Sequence, residues 1–187
     1  SVSIIESCNS LSLSGDNSIG KLSNNLENLF SLGSDLTVEF WFQLYEFPQE
    51  GRHQLFVTTC NILQISVQAD GSLHTVRHGE GVSGNCDTDE KVVLEKWNHI
   101  AASYDGNSVQ FYLNGVAEGS FMKTGNLIPS GGLTIGSRDI NSEYFDGLID
   151  DVQIWNKALS ESEIQDRMYS SIDQTDPLWS DLSGNYK

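Results

Sequence analysis

The chain has 187 residues, a length at which an all-β sandwich folds as one domain around one core. Its 26 acidic residues against 10 basic ones give a formal net charge of -16, which repels nucleic-acid phosphates and anionic membrane surfaces. This balance argues against a nucleic-acid partner. No apolar run approaches the roughly 20 residues of a membrane-spanning helix, so we also expect no direct membrane insertion.

Short strand-like runs follow one another along most of the chain, with turn residues between them. This pattern is typical of a sandwich or barrel and differs from the alternation of strands with helices. The predicted strands are residues 10–14, 35–44, 54–59, 62–69, 72–77, 92–93, 97–104, 108–113, 116–121, 133–136 and 145–155.

Three dipeptides predict tight antiparallel hairpins, because their residues tolerate positive φ between apolar-rich segments. They are Asp70-Gly71, Asp105-Gly106 and Asn114-Gly115. The clearest core strand is 35–44, where one face is wholly apolar and the other is mixed. The apolar face carries Leu36, Val38, Phe40 and Phe42, and the mixed face carries Thr37, Glu39, Trp41 and Gln43.

One helix is predicted near the C-terminus, beginning at Ser160. Ser160 and Glu163 have the spacing of a capping box, in which each side chain accepts a backbone N–H from the other residue. Leu159 and Ile164 would form the hydrophobic staple that accompanies it. The helix is expected to run towards Tyr169 and to be followed by a less regular tail.

The three cysteines are Cys8, Cys60 and Cys86. None lies in a CxxC pair or at zinc spacing, which argues against a structural zinc site. Cys60 lies between two predicted strands and Cys86 in a predicted loop, so we predict a disulfide between them. The alternative is a set of buried, reduced thiols, and Cys8 has no assigned partner in either case.

Several segments in this order resemble the laminin-G-like and pentraxin-like jelly rolls of the concanavalin A-like lectin and glucanase superfamily. The segments are SLSLSG at 10–15, LGSDLTVEFWF at 32–42, WNHIAASYDG at 97–106, FYLNG at 111–115 and FDGLIDDVQIWNKALS at 145–160, continuing into the helix. The resemblance implies an all-β fold: a two-sheet antiparallel jelly-roll sandwich with one short C-terminal helix.

The resemblance also implies the domain organisation. Residues 1–187 are expected to form a single laminin-G-like domain with its core at about 8–170. Residues 171–187 would be a tail or a segment that returns to pair near the start of the chain, beginning around 177–181. The ends of the sequence suggest a piece cut from a longer protein.

No catalytic pattern is evident, and we predict that the chain is not an enzyme. The Glu-x-Asp-x-Glu run of the glucanase branch is absent, and strand alternation would place Asp150 and Asp151 on opposite faces. No Gly-x-Ser-x-Gly elbow occurs either. The histidines are scattered, and His99, in the central predicted strand, is interpreted as a packed or hydrogen-bonded side chain.

Calcium is the one predicted cofactor, because laminin-G-like domains often carry it. The proposed metal ligands are Asp150 and Asp16. Strand alternation would place Asp150 on the same face as Val152 and Ile154, and Asp16 lies in the turn after the first strand. The alternative is that Asp150 accepts backbone N–H groups and that Asp16 only makes a turn. The calcium cluster of the pentraxin branch is not matched in residues 137–144.

Ligand binding is predicted at rim loops, where aromatic and planar polar side chains could read sugar faces and hydroxyls. The candidates are Arg138, Asn141 and Tyr144 in one loop and His78 and Asn85 in another. Trp41 and Trp155 would either line a platform or be buried under a loop. The predicted function is an extracellular binding or adhesion module, secreted or at the cell surface, with a glycan or a protein as partner. The alternatives are a structural spacer in a large surface protein and, last, a carbohydrate-active hydrolase.

Overall fold

The computed structural model of the chain describes residues 10–14, 20–21, 35–49, 51–58, 64–76, 85–122, 133–137 and 144–186. In chain order the elements are β1 (Leu11–Ser14), β2 (Gly20–Lys21), β3 (Asp35–Leu44), β4 (Arg52–Thr58), β5 (Gln64–Gln68), β6 (Ser72–Val76), β7 (Asn85–Lys91), β8 (Trp97–Asp105), β9 (Ser108–Leu113), β10 (Val116–Met122), β11 (Leu133–Ile135), β12 (Asp146–Trp155), α1 (Glu161–Arg167), a short 3-10 helix (Trp179–Asp181) and β13 (Leu182–Tyr186). Within these ranges no helix is long and apolar enough to cross a bilayer.

The strands form two antiparallel sheets. The first, called sheet A, has the order β1-β12-β3-β8-β9-β10, with β13 also paired to β12. The second, called sheet B, has the order β2-β11-β4-β5-β6-β7. The predicted two-sheet jelly-roll sandwich is therefore confirmed, and strands distant in sequence become neighbours, as β12 and β3 do.

The core lies between the two sheets and is built by strand alternation. On β3 all four residues of the predicted apolar face are at most 4% exposed: Leu36, Val38, Phe40 and Phe42. Sheet B contributes Ile65, Val67 and Leu73 to the same core cluster. The opposite face of β3 points away from this core, so its side chains are available to a second layer of structure.

The three predicted hairpins are confirmed. They join β5 to β6, β8 to β9 and β9 to β10. At the β9–β10 turn, Asn114 and Gly115 both have positive φ, of 52° and 79°. That geometry matches the right-handed twist of the paired strands, which is why an Asn-Gly dipeptide predicts the hairpin.

The prediction for the segment before β8 was wrong. Residues 92–93 are not a strand, and the preceding segment, interpreted as a loop containing Asn85 and Cys86, forms β7 at the edge of sheet B. An edge strand has one neighbour and one largely solvated face, so it needs no alternation of apolar residues. Among residues 87–91 of β7, Thr88 has a buried side chain, and its hydroxyl accepts the Leu73 backbone N–H at 3.0 Å.

Helix α1 packs on the outer face of sheet A. Its capping box is formed as predicted, with the Ser160 hydroxyl accepting the Glu163 N–H and the Glu163 carboxylate accepting the Ser160 N–H. A second apolar cluster lies beneath it: Ala101, Tyr112, Trp155, Leu159, Ile164 and Ile172. The helix and the tail after it therefore cover part of this face.

The C-terminal segment returns to the sheet. β13 pairs with β12 from Val152 to Trp155, while β1 pairs with the first half of β12, with Leu11 opposite Ile149. Both strands lie along the same edge of β12 because β3 occupies its other edge. The first and last described strands are therefore neighbours in sheet A.

Candidate functional site

A β-bulge in β12 changes which side chains reach the outer face of sheet A. Asp150 lies opposite Trp41 and Gln153 opposite Glu39, so one extra residue is inserted on β12. Asp151 adopts a φ of 48°, the left-handed conformation that Asp tolerates better than most residues. Its N–H donates to the Asp150 carboxylate at 2.8 Å.

The bulge overturns two predictions based on simple alternation. Val152 and Ile154 belong to the core cluster, whereas Asp150 pairs with Trp41 of the outer face. Asp150 therefore does not share a face with them. Asp150 and Asp151, expected on opposite faces, both line one cavity, because the inserted residue breaks the period of two.

This cavity, called the α1 cavity, lies on the outer face of sheet A where the chain leaves the helix. Its volume is about 420 Å³, within the range of roughly 300 to 1,000 Å³ usual for ligand pockets. The described residues that line it are Glu39, Trp41, Trp97, His99, Asp150, Asp151, Gln153, Met168, Tyr169, Ser170 and Ser171.

Glu39 and His99 form a buried pair in the lining, each 2% exposed. One Glu39 oxygen, Oε1, accepts the Trp155 indole N–H at 2.7 Å. The other, Oε2, lies 3.5 Å from His99 Nε2 and has no hydrogen-bond partner among the described residues. Burial raises the pKa of Glu39 to about 7, although the Trp155 bond opposes the shift, and burial lowers the pKa of His99 to about 4. Both groups are therefore neutral between these values.

Aromatic rings form the other part of the lining. Trp41 donates its indole N–H to the Met168 carbonyl at 2.8 Å, which ties β3 to the end of α1. Its ring lies 5.3 Å from that of Tyr169 and 5.1 Å from the His99 ring, between centroids. Trp97 and Tyr169 remain 42% and 81% exposed, so their faces are accessible.

Of the platform tryptophans considered from sequence, one lines the α1 cavity and the other does not. Trp41 is in the lining, whereas Trp155 is fully buried beneath α1 and holds Glu39 in place. Sequence reasoning missed Glu39, Trp97 and Tyr169 as site residues. An acidic residue in the middle of an apolar strand was the available signal, because a buried carboxylate needs partners.

Most of the predicted rim-loop ligands lie outside the described residues: Arg138, Asn141 and His78. Tyr144 is described and half-buried, directly before Phe145. Asn85 begins β7 and is not in a loop. These residues stay predictions as ligand contacts, and the predicted disulfide also stays one, since Cys60 lies outside the described residues and Cys86 is in β7 opposite Thr75.

The predicted calcium site gains no support from Asp150. The register of β1 places Ser14 opposite Asp146, four residues from Asp150, and Asp16 lies outside the described residues. Over the described ranges, no three His, Cys, Asp or Glu side chains are grouped so that they could hold a metal ion. Calcium binding therefore remains a prediction.

The two described histidines whose side chains are placed both contact carboxylates. His99 contacts Glu39, and His74 Nδ1 lies 2.5 Å from Asp87. The nearby Ser66 hydroxyl donates to the His74 backbone carbonyl and not to the ring. Neither histidine is thus arranged with a serine as in a Ser-His-Asp triad.

The comparison with protein families agrees with the sandwich fold. Residues 14–165 match a family described as the concanavalin A-like lectin/glucanases superfamily. The chain belongs to this superfamily. Comparison with the curated proteins gives no significant match.

Solved structures with the same fold include several binding domains. Domain 4 of AbnA, an extracellular arabinanase from Geobacillus stearothermophilus solved with arabinotriose, has 22% identity and a TM-score of 0.66, over 84% of this chain and 75% of that one. The binding domain of Paraclostridial mosquitocidal protein 1 has 20% identity and a TM-score of 0.70, over 88% of this chain and 44% of that one. A putative carbohydrate binding protein from Bacteroides ovatus has 19% identity and a TM-score of 0.61, over 82% of this chain and 45% of that one. These similarities show a common fold.

Proposed function

We propose that this domain is a non-catalytic carbohydrate-binding module and that the α1 cavity is its glycan site. The observation that carries the proposal is the combination of accessible aromatic rings with carboxylate, amide and hydroxyl groups in one cavity. The related structures of an arabinanase domain solved with arabinotriose and of a putative carbohydrate binding protein support the same class of ligand.

The lining suits a sugar on physical grounds. A pyranose ring presents apolar C–H faces, which stack on aromatic side chains, and a rim of hydroxyls, which need planar polar partners. Trp97 offers an exposed ring, while Gln153, Ser170 and Ser171 offer amide and hydroxyl groups. Trp41 is held by its bond to Met168, so part of the surface is preorganised and loses little entropy on binding.

We propose a binding role and not hydrolysis because the deepest carboxyl group is committed to the fold. Glu39 accepts the Trp155 indole N–H and lies against His99, and its side chain is 3% exposed. Glycoside hydrolysis needs two carboxyl groups on either side of the scissile bond. Asp150 and Asp151 are adjacent in sequence and enter the cavity from one strand. A function outside the cell fits this class of domain and its similarity to part of an extracellular enzyme.

The test is a glycan array followed by calorimetry, with calcium and with a chelator. Trp97→Ala should abolish binding of the array hits, while Trp179→Ala is the matched control, because Trp179 is 39% exposed and does not line the cavity. Incubation with each hit should release no new reducing ends. If no glycan binds, or if Trp97→Ala binds as the wild type does, the proposed site is wrong, and adhesion to a protein or a spacer role becomes the better account.

A further inference from the structure

Among the described residues that line the α1 cavity, the charged side chains are all acidic. Asp150 and Asp151 carry carboxylates, and none of these described residues is Lys or Arg. The Glu39 carboxyl group is neutral below its pKa of about 7, and His99 adds no positive charge near neutral pH, because burial lowers its pKa to about 4. The described lining therefore carries the negative charge of two aspartates, which a neutral sugar does not need.

Two described cations at α1, Arg167 and Lys157, are paired with other groups. Arg167 acts on Glu39 electrostatically, but its guanidinium is bound to Asp176 at 3.1 Å and to the Glu163 carbonyl at 3.1 Å. Lys157 is paired with the Glu163 carboxylate at 2.6 Å. Both cations are engaged at the helix.

A second observation concerns the unused oxygen of Glu39. Glu39 is 2% exposed and Oε2 has no hydrogen-bond partner among the described residues, although the residue lines the cavity. A buried carboxyl oxygen without a donor costs free energy. His99 Nδ1 is likewise without a partner in the described part of the chain. A hydrogen-bond donor on a ligand that reached this oxygen would supply the missing partner, and a donor with positive charge forms the stronger bond.

The aromatic rings point to the same ligand chemistry. A cation near an aromatic face is attracted by the ring quadrupole, and Trp is the strongest such partner. Trp41, Trp97 and Tyr169 all line the cavity beside the carboxyl groups. Carboxylates with indole and phenol faces in one place favour an organic cation over a bare sugar hydroxyl.

We infer that the α1 cavity recognises a protonated amino sugar, with the ammonium group among the carboxylates and the sugar ring against the aromatic side chains. The inference rests on the proposed carbohydrate-binding function and narrows its ligand class. N-acetylation of the same sugar removes the charge and keeps the ring, so acetylated and free amines form a matched pair of probes.

The experiment compares the β-1,4-linked disaccharide of glucosamine with its N,N′-diacetyl counterpart by calorimetry on the full chain. We expect the free amine to bind at least about tenfold more tightly, a difference of about 1.4 kcal/mol. In nitrogen-15 spectra the free amine should shift the indole N–H signal of Trp97 and leave that of Trp179 in place.

Matched charge variants separate site binding from general attraction to an acidic protein. Asp151→Asn should weaken binding of the free amine about five- to tenfold more than it weakens binding of the acetylated sugar. Asn also tolerates the left-handed backbone at this position, and Asp150→Asn serves as a second variant. Asp89→Asn removes the same charge from an exposed position on β7 of sheet B and should leave both affinities unchanged.

The outcomes separate this inference from the proposed function. Equal or tighter binding of the acetylated sugar, or an equal effect of Asp89→Asn, would overturn the amino-sugar inference. If another glycan binds in a Trp97-dependent way while neither disaccharide does, the inference is wrong and the glycan site stands. If no glycan binds at all, the proposed function fails with it.

Discussion

Glu39→Gln tests the buried carboxyl group beneath α1. Gln keeps the size of Glu, and its carbonyl oxygen can still accept the Trp155 indole N–H that Glu39 accepts at 2.7 Å. Its amide can donate towards His99, which lies 3.5 Å from Glu39. The substitution therefore removes a titratable proton with little change in packing, and its effect on stability should depend strongly on pH.

The magnitude follows from the pKa of Glu39, which burial raises from 4.5 to about 7. As pH rises from 4.5 to 7, the unfolded chain releases this proton first, so the free energy of unfolding falls. At about 1.4 kcal/mol for each tenfold change in proton affinity, the loss is about 3 kcal/mol. Glu39 is 2% exposed, so solvent screening does not reduce this figure.

The contribution of His99 to the free energy of unfolding changes with pH in the opposite direction. Burial lowers its pKa from 6.5 to about 4, so its contribution to stability is lost as pH falls through that range. The two groups offset one another between pH 4.5 and 6.5 in the wild type. The difference between wild type and Glu39→Gln at each pH isolates the Glu39 part, since both proteins contain His99.

The assay is urea unfolding at pH 5, 6, 7 and 8, followed by tryptophan fluorescence and by circular dichroism. Relative to the wild type, the free energy of unfolding of Glu39→Gln should rise by about 2.5 kcal/mol between pH 5 and pH 8. Glu46→Gln, at an exposed position after β3, is the control and should show no such trend. A stability difference between wild type and Glu39→Gln that is constant across this range would refute the buried, neutral carboxyl group.

Three further substitutions test the fold around the site. Thr37→Val removes a fully buried hydroxyl that accepts the Leu159 backbone N–H at 2.8 Å. It should lower the free energy of unfolding in urea by about 1 to 3 kcal/mol. An unchanged unfolding midpoint would contradict this bond. Ser160→Ala removes the helix cap and should cost about 1 kcal/mol, with Ser162→Ala as the control. Gly147→Ala should lower the free energy of unfolding, measured by thermal unfolding, by at least about 2 kcal/mol, because a Cβ would overlap the Gln43 carbonyl oxygen. A variant as stable as the wild type would show that β12 and β3 are not so close.

The local pattern of the chain was sufficient for much of the fold. The apolar face of β3, the Asn114-Gly115 hairpin and the Ser160 capping box were all predicted correctly, because each depends on residues close together in sequence. β7 was missed because an edge strand needs little apolar periodicity.

The α1 cavity could not be predicted in the same way. Its lining comes from β3, β8, β12 and the segment after α1, so its members meet only when the sheet and the helix assemble. The bulge at Asp151 adds one residue to one strand, and alternation alone then assigns Asp150 to the wrong face.

The sequence by itself predicted the hairpins, the core face and the helix, since these follow from period-two patterning, turn residues and capping within short segments, and its resemblance to laminin-G-like domains implied the sandwich. Only the tertiary structure decided that Glu39 and His99 are buried together and that two adjacent aspartates share one cavity. Burial and strand register depend on contacts between residues more than a hundred positions apart, such as the Glu39–Trp155 bond, and local sequence does not encode such contacts one by one.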